Sequence, residues 1–229
     1  MGTLYLVRHG QASFGAADYD NLSELGAEQA QLLGKWFADA QVKPTRLIAG
    51  GLRRHQQTSR AWAQGFTEKG GVLPDASFHS IDPRWNEYDH EDIFGKGTKA
   101  FGLEGMANKE MSKRDFQKLF EKAITRWISG QHDTEYTEPW NSFHGRCAEA
   151  LSDVKQMRGE TVVVFSSGGT IGATVAHVLG LPATHAMQFN YLIANCSVSR
   201  IIYRDDEASL ASFNNFAVFE TTPDLLTYR

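Results

Sequence analysis

A basic residue pair follows directly on a short apolar run near the start of the chain, in the stretch LYLVRHGQ. The pair is Arg8 and His9, and Gly10, the residue with the least steric demand, comes next. A neutral imidazole nitrogen can attack phosphorus and hold the phosphoryl group covalently. A guanidinium matches phosphate oxygens with two hydrogen bonds and stays charged at any working pH. These residue types in direct succession point to phosphoryl chemistry.

Two further charged residues complete a set of the same kind. Arg54 lies at the start of the predicted helix LRRHQQTSRAWAQGF, where backbone N–H groups and the helix dipole also favour an anion. Glu87, in the stretch RWNEYDHEDIFG, is a candidate for the carboxylic acid that protonates a leaving oxygen. Asp89, Glu91 and Asp92 follow Glu87 closely, so a solvated loop carboxylate is the competing interpretation.

A second apolar run, TVVVFSS, has the same outline as the first but ends in serines. Ser167 and Gly168 stand at the start of the following predicted helix, where they are candidates for phosphate contacts. A plain helix cap is the competing interpretation, and the two roles are compatible because both use the same helix end. The run also resembles part of a nucleophile elbow, G-x-S-x-G, with Phe165 in the place of the first glycine. A serine hydrolase acting through Ser167 is therefore kept as a minor alternative.

The elements that must position these residues alternate between strand and helix. Apolar runs at residues 3–7, TRLIAGG and TVVVFSS predict buried strands, and SVSRIIYR and FAVFE predict further strands near the end. Helices are predicted from Ser23, which could cap the first, after TRLIAGG, over SFHGRCAEALSDVKQM and after TVVVFSS. This order predicts an α/β fold, a three-layer sandwich with a mostly parallel central sheet. Ligands of such sheets sit beyond the carboxyl ends of the strands, so the polar turns are expected to meet there.

The stretch between about residues 88 and 145 has a different pattern. It is polar and rich in glycine at first, helical from about residue 112, and without strand signals. We expect a single domain over residues 1–229 in which this stretch is a helical insertion, or lid, over the C-terminal edge of the strands. A lid at that edge would carry the selectivity for substrate.

Composition restricts the partners that such a site serves. The formal net charge of −4 gives no global attraction to nucleic acid or to an anionic membrane. Two cysteines far apart make no disulfide framework, and no apolar run reaches membrane-spanning length. No HExxH or paired Cys/His spacing is present, so no metal and no cofactor are expected. We expect a cytoplasmic protein whose partner is a small phosphorylated substrate or inorganic phosphate; the sequence carries no signal for oligomeric state.

Several motifs occur along the chain in a fixed order: LYLVRHGQ, NLSELGAEQAQLLGKWF, LIAGGLRRHQQTSRA, RWNEYDHEDIFG, and VVVFSSGGTIGATVAHVLGLP followed by NCSVSRIIY. They resemble the corresponding motifs of the histidine phosphatase superfamily, also called the phosphoglycerate mutase-like family. LIAGGLRRHQQTSRA is similar to its S-x-L-x-R-[AC]-x-x-T-A segment, which puts the motif's arginine at Arg54 rather than Arg53. The stretch around Glu87 resembles L-x-E-x-x-x-G-x-x-x-G, loosely in its second half.

The resemblance implies roles for the residues already singled out. His9 would be the nucleophile that becomes phosphorylated, and Arg8 and Arg54 would bind the phosphoryl oxygens. Glu87 would donate a proton to the leaving group and would later activate water. The residues that would line the substrate pocket are Gln11, Ser23, Ser167 and Gly168.

One departure from the family's pattern bears directly on the chemistry. The second histidine of the family, in S-H-G-G, is Ser167 here. By the resemblance that histidine contacts the phosphoryl group, whereas a hydroxyl donates one hydrogen bond and carries no positive charge. Loss of one such contact in a dry site costs roughly 10²–10³ in rate. His55 and His90 are nearby histidines that could compensate, but the sequence does not place them.

The resemblance as a whole implies a metal-independent phosphomonoester hydrolase that works through a phosphohistidine on His9 and is slowed by Ser167. A phosphatase is favoured over a mutase because the stretch between Glu87 and the SSGG turn lacks a recognisable mutase-type insert. The alternative is a catalytically weak or inactive protein that binds a phosphorylated ligand for regulation.

Overall fold

The computed structural model describes residues 1–13, 20–103 and 112–228. The strands in these ranges are β1 (Gly2–Arg8), β2 (Arg46–Ala49), β3 (His79–Ile81), β4 (Thr161–Ser166), β5 (Val198–Arg204) and β6 (Glu207–Asn215). The helices in the same ranges are α1 (Glu24–Asp39), α2 (Arg53–Glu68), α3 (His90–Ala100), α4 (Lys113–Ile128), α5 (Trp140–Gln156), α6 (Gly168–Val178) and α7 (Ala183–Leu192). Of these helices, none is both long and apolar enough to cross a membrane.

The six described strands form one mostly parallel sheet in the order β3–β2–β4–β1–β5–β6. β1 and β2 both pair in parallel with β4, and β3 pairs in parallel with β2. β5 runs antiparallel to β1 and forms a hairpin with β6. The strands β1, β2 and β4 therefore end at the same edge of the sheet, which is where α/β sheets bind their ligands.

The two central strands are buried on both faces, as their uninterrupted apolar sequences predict. Residues 162–165 of β4 and Leu4 and Leu6 of β1 are fully buried. α1 and α2 cover one face through a cluster that includes Trp62. α5 and α6 cover the other face through a cluster that includes Leu151. The predicted three-layer α/β sandwich is confirmed.

α3 and α4 form a helical insertion that packs against the sandwich through one shared apolar cluster. Trp127 of α4 is fully buried, and its ring centroid lies 5.3 Å from that of Tyr88 and 5.2 Å from that of Trp140. The same cluster contains residues of α6 and α7, which join the insertion to the sandwich. Of the insertion expected over residues 88–145, the part from Trp140 onward is α5, and residues 104–111 lie outside the described ranges.

The structure corrects the prediction for one segment near the end of the chain. The stretch FAVFE, predicted as a strand, contains a 3-10 turn at Ala217–Phe219. Phe219 is buried in the cluster beneath α1 and α2, so core packing and not strand pairing explains its apolar pattern. The last strand is instead β6, an edge strand in which much of the sequence EASLASFNN reaches solvent. Such a strand carries no continuous apolar run.

Candidate active site

His9 leaves β1 at the carboxyl edge of the sheet and is held by hydrogen bonds on several sides. Its backbone N–H donates to the carbonyl of Ser166 at 2.8 Å, and its own carbonyl accepts from Asn195 Nδ2 at 3.0 Å. Its ring Nδ1 lies 2.7 Å from the carbonyl oxygen of Gly10. Because a carbonyl can only accept, Nδ1 carries the proton and Nε2 carries the lone pair. The nitrogen available for attack is therefore Nε2.

The surroundings of His9 keep its ring neutral. The residue is 4% exposed, and this burial is the main reason why the imidazole pKa is well below its ordinary value. The positive charges of Arg54 and Arg8 lower the pKa further, and so does the neighbouring His55. The neutral ring is the nucleophilic form of histidine.

The loop after His9 is anchored to both helices on that face of the sheet. The N–H of Gly10 donates to Thr58 Oγ1 of α2 at 3.1 Å. The N–H of Gln11 donates to Gln29 Oε1 of α1 at 2.8 Å. Ser23 caps α1: its Oγ accepts from the N–H of Gly26 at 3.0 Å and donates to the carbonyl of Gln11 at 2.9 Å. Gln11 and Ser23 therefore lie together in this loop, and the contacts of Ser23 support the loop that carries His9.

Arg54 enters the site from the first turn of α2. It is 8% exposed, and its Nη1 donates to Asp20 Oδ1 at 2.7 Å. The other oxygen of Asp20 accepts the backbone N–H of Arg53, at the start of the helix, at 2.9 Å. The Asp20 carboxylate thus binds a guanidinium and a helix N-terminus, which are the two kinds of donor that a phosphoryl oxygen would use.

Arg8 lies beside His9 in the chain, but its guanidinium also contacts the main chain of later segments. Its Nη1 donates to the carbonyl of Ile193 and, at 3.5 Å, to the carbonyl of Tyr228. Arg8 still contributes a positive charge near His9, and this charge adds to the effects of burial and of Arg54 in lowering the pKa of His9.

Glu87 is bound at the N-terminus of α6 and is not a solvated loop residue. Its Oε2 accepts the N–H of Gly169 at 3.0 Å, and its Oε1 accepts the N–H of Tyr88 at 3.2 Å. The approach is so close that a Cβ atom on Gly169 would lie 2.2 Å from Glu87 Oε1. A helix N-terminus is a favourable place for a carboxylate, and Ser167, the N-cap of α6, lies two residues before Gly169.

The segment that carries Glu87 is fixed by three side chains. Ser166 Oγ donates to the carbonyl of Trp85, and Thr170 Oγ1 donates to the carbonyl of Asn86, each at 2.7 Å. Arg146 of α5 donates from Nη1 to the same Asn86 carbonyl at 2.7 Å. These contacts join β4, α5 and α6 to one turn, so the position of the carboxyl group is determined by the core.

Ser167 contacts a histidine that the sequence could not place. His55, in the first turn of α2, is fully buried, and its Nε2 lies 2.6 Å from Ser167 Oγ. The ring centroids of His55 and His9 are 5.7 Å apart. Burial, together with the charge of Arg54, lowers the pKa of His55 well below its ordinary value.

The structure thus brings most of the predicted residues to one edge of the sheet. Arg54, His55 and Arg8 are the charged or polar neighbours that act on His9. Glu87 meets the N-terminus of α6, where Ser167 is the N-cap residue, and Gly168 is the buried first residue of that helix. By contrast, His90 is exposed at the first residue of α3. Within the described ranges no group of three or more His, Cys, Asp or Glu residues could hold a metal ion.

Comparison with known protein families identifies the superfamily of this chain. The family model of the histidine phosphatase superfamily (branch 1) matches residues 4–216. The chain belongs to this superfamily.

Solved structures of the same fold cover nearly the whole chain. YhfR of Bacillus stearothermophilus has a TM-score of 0.66 at 20% identity, covering 96% of this chain and 100% of that one. The phosphoglycerate mutase of Bacillus anthracis has a TM-score of 0.65 at 18% identity, covering 94% of each chain. The mycobacterial glucosyl-3-phosphoglycerate phosphatase, solved with VO3, has a TM-score of 0.61 at 18% identity, covering 93% of this chain and 98% of that one. At these identities the likeness establishes the fold. No curated protein sequence matches the chain.

Proposed function

We propose that this protein hydrolyses phosphomonoesters through a phosphohistidine formed on His9. The observation that carries the proposal is the hydrogen bond from His9 Nδ1–H to the Gly10 carbonyl, which leaves a lone pair on Nε2. The ring is neutral and has Arg54 beside it. A neutral nucleophile next to a fixed positive charge suits attack on an anionic phosphoryl group.

The reaction would proceed in two steps. In the first step, His9 Nε2 bonds to phosphorus as the bond from phosphorus to the ester oxygen breaks, and the Glu87 carboxyl gives that oxygen its proton. In the second step, water attacks the phosphohistidine while Glu87 takes a proton from the water. Inorganic phosphate leaves, and the lone pair returns to Nε2. Arg54 would bind the phosphoryl oxygens once the anion replaces Asp20 on its guanidinium, and Arg8 would add a second positive charge.

The substrate would be a small phosphorylated molecule, and the reaction would need no metal. Two of the structural neighbours, by their names, act on phosphoglycerate or on a glucosyl derivative of it. Hydrolysis is favoured over phosphoryl transfer to a second substrate because the insertion after Glu87 does not have a sequence recognisable as that of a mutase. The α3–α4 insertion would serve as the lid that selects the substrate.

The direct test is hydrolysis of p-nitrophenyl phosphate in the presence of EDTA. Wild-type protein should release p-nitrophenol, and His9→Ala should abolish the release. His79→Ala, which changes an exposed histidine in β3, is the matched control and should behave as wild type. Activity that survives His9→Ala would contradict the proposal.

If phosphate raises the melting temperature but no phosphomonoester is hydrolysed, the regulatory alternative is the correct one.

One observation favours a second candidate function, a serine hydrolase. Ser167 Oγ and His55 Nε2 are 2.6 Å apart, which is the spacing of a nucleophile and its general base. However, the Nδ1 atom of His55 has no hydrogen-bond partner among the described residues, so the group that orients the base in such sites is missing. Hydrolysis of p-nitrophenyl acetate that is lost in Ser167→Ala and kept in His9→Ala would identify this activity.

A further inference from the structure

His55 is a buried imidazole that contacts two residues of the candidate active site. Its Nε2 is hydrogen-bonded to Ser167 Oγ, and its ring centroid lies 5.7 Å from that of His9. Its Nδ1 is buried without a hydrogen-bond partner in the described part of the chain. Burying an imidazole with one nitrogen unsatisfied costs free energy that an apolar side chain of similar size would not. Packing alone therefore does not account for a histidine at this position.

The chain makes room for this ring at Gly50, the residue that follows β2. A Cβ atom on Gly50 would lie 2.2 Å from His55 Nδ1, so any other residue type would displace the imidazole. The family motif has serine at the position of Gly50 and alanine or cysteine at the position of His55. The chain departs from the motif at two positions that are in contact with each other.

Ser167 uses its hydroxyl for His55 and not for its own helix. It is the N-cap residue of α6, yet its side chain makes no capping hydrogen bond. β1 and β4 pair Arg8 with Ser166, and the His9 N–H donates to the Ser166 carbonyl, so Ser167 lies next to His9 where the two strands end. A hydroxyl can accept one hydrogen bond and donate another at the same time. If His55 Nε2 is the donor, the Ser167 hydroxyl keeps its own proton for a second acceptor.

We propose that His55 is a positioning residue whose Nε2–H donates to Ser167 Oγ, so that the Ser167 hydroxyl points its own proton at a phosphoryl oxygen bound to His9. The inference rests on the proposed function and adds Ser167 as the residue that touches the phosphoryl group. The proton is assigned to Nε2 because that nitrogen has an acceptor within reach, whereas Nδ1 has none among the described residues. Two residues from different elements thus take the place of one histidine in the family motif.

The lowered pKa of His55 is consistent with this role. Burial and the charge of Arg54 keep the ring neutral, so it acts as a hydrogen-bond donor and not as a cation. A protonated His55 ring would be repelled by the positive charge of Arg54, whereas the neutral ring is not.

A double-mutant cycle tests the pair. Ser167→Ala removes the donor, and we expect kcat for p-nitrophenyl phosphate to fall about 10²-fold with KM little changed, since the contact strengthens in the transition state. His55→Phe keeps a buried ring but removes Nε2–H, and we expect kcat to fall about tenfold because the hydroxyl is no longer oriented. The double variant should lose no more than Ser167→Ala, because His55 acts through Ser167.

A conservative variant and a control separate positioning from folding. His55→Gln places an amide N–H near Ser167 and should recover most of the activity that His55→Phe loses. His79→Phe changes an exposed histidine of β3 and should leave kcat unchanged. Melting temperatures identify any variant that fails to fold; if His55→Phe fails to fold, His55→Leu, which also lacks the N–H donor, takes its place in the cycle.

Orthovanadate, which adopts the five-coordinate geometry of phosphoryl transfer, gives the same cycle without turnover. The Kd of vanadate should rise in Ser167→Ala and in His55→Phe. In the double variant it should be no higher than in Ser167→Ala. Additive losses, or unchanged kcat and vanadate affinity in His55→Phe, would overturn the inference. If the wild-type protein shows neither turnover nor phosphohistidine, the proposed function fails instead, and the vanadate cycle still decides the role of His55.

Discussion

The protonation state of His9 is the residue-scale property on which the proposed chemistry depends. Burial and the charges of Arg54 and Arg8 lower its pKa, so the ring stays neutral at pH values where an exposed histidine, with a pKa of about 6.5, would be half protonated. Protonation of His9 would remove the nucleophile and lower kcat/KM. We expect no such decrease with a midpoint at pH 6.5 or above. A pH profile, corrected for the ionisation of the substrate itself, measures this. An acidic limb centred at or above 6.5 would contradict the assignment of a desolvated, neutral His9.

The role of Glu87 is best tested by varying the leaving group. Glu87→Gln keeps the size of the side chain but cannot donate a proton. For an alkyl phosphate, whose leaving alkoxide needs that proton, we expect kcat to fall about 10²–10⁴-fold. For p-nitrophenyl phosphate the fall should be much smaller, because p-nitrophenolate leaves readily without protonation. Equal losses for both substrates in steady-state assays would show that Glu87 acts in some other way.

The residue types of the site were largely predictable from the sequence, but the contacts between them were not. His9, Arg54 and Glu87 carry chemistry that is visible from residue type and motif spacing alone. The contact between His55 and Ser167 joins residues 112 positions apart on separate elements, so no local pattern encodes it. The signal that could have pointed to it is the group of departures from the family motifs that includes Gly50, His55 and Ser167.

At the scale of elements, the N-terminus of α6 holds Glu87, the proposed acid. A Cβ atom on Gly169 would lie 2.2 Å from Glu87 Oε1 and 2.4 Å from the ring of Tyr88. We expect Gly169→Ala to displace Glu87, to lower kcat for alkyl phosphates towards that of Glu87→Gln, and to cost about 1–3 kcal/mol of stability. Gly145→Ala in α5, where a Cβ atom would meet nothing within 4 Å, is the control. Wild-type kcat in Gly169→Ala would show that the close approach has no functional consequence.

The elements that the sequence predicted are those with long or fully buried apolar patterns. β1 and β4 are central strands, and the helices α1, α2 and α5 each bury one face along four turns or more, so their periodicity is clear. β3 was missed because it is three exposed residues at the edge of the sheet. α3 contains Gly95 and Gly97, which weaken its helical pattern. α7 is short and has little contrast between its faces, with Ala186 and Met187 as its buried residues.

At the scale of the whole molecule, the two buried imidazoles link stability to pH. His9 and His55 both have lowered pKa values in the folded protein, whereas in the unfolded chain they titrate at about 6.5. As the pH falls below about 6.5, the unfolded chain takes up protons that the folded protein does not, so the free energy of unfolding decreases. The contribution is fully present at pH 7.5 and above.

We therefore expect the melting temperature to fall between pH 7.5 and pH 5.5, and to fall less steeply in His55→Phe. Thermal unfolding at several pH values measures both slopes. His79→Phe, which removes an exposed histidine, should keep the wild-type slope. An identical slope in His55→Phe and in wild type would contradict the assignment of His55 as a neutral, buried group.

The covalent intermediate on His9 is the central claim for the molecule as a whole. The measurement is mass spectrometry of the protein quenched in base during turnover of a phosphomonoester, because phosphohistidine survives base and is lost in acid. We expect the phosphoryl group on the peptide that contains His9, its loss on acid treatment, and its absence in His9→Ala. A phosphoryl group on another residue, or turnover with no phosphorylated peptide even when the second step is slowed by Glu87→Gln, would contradict the account.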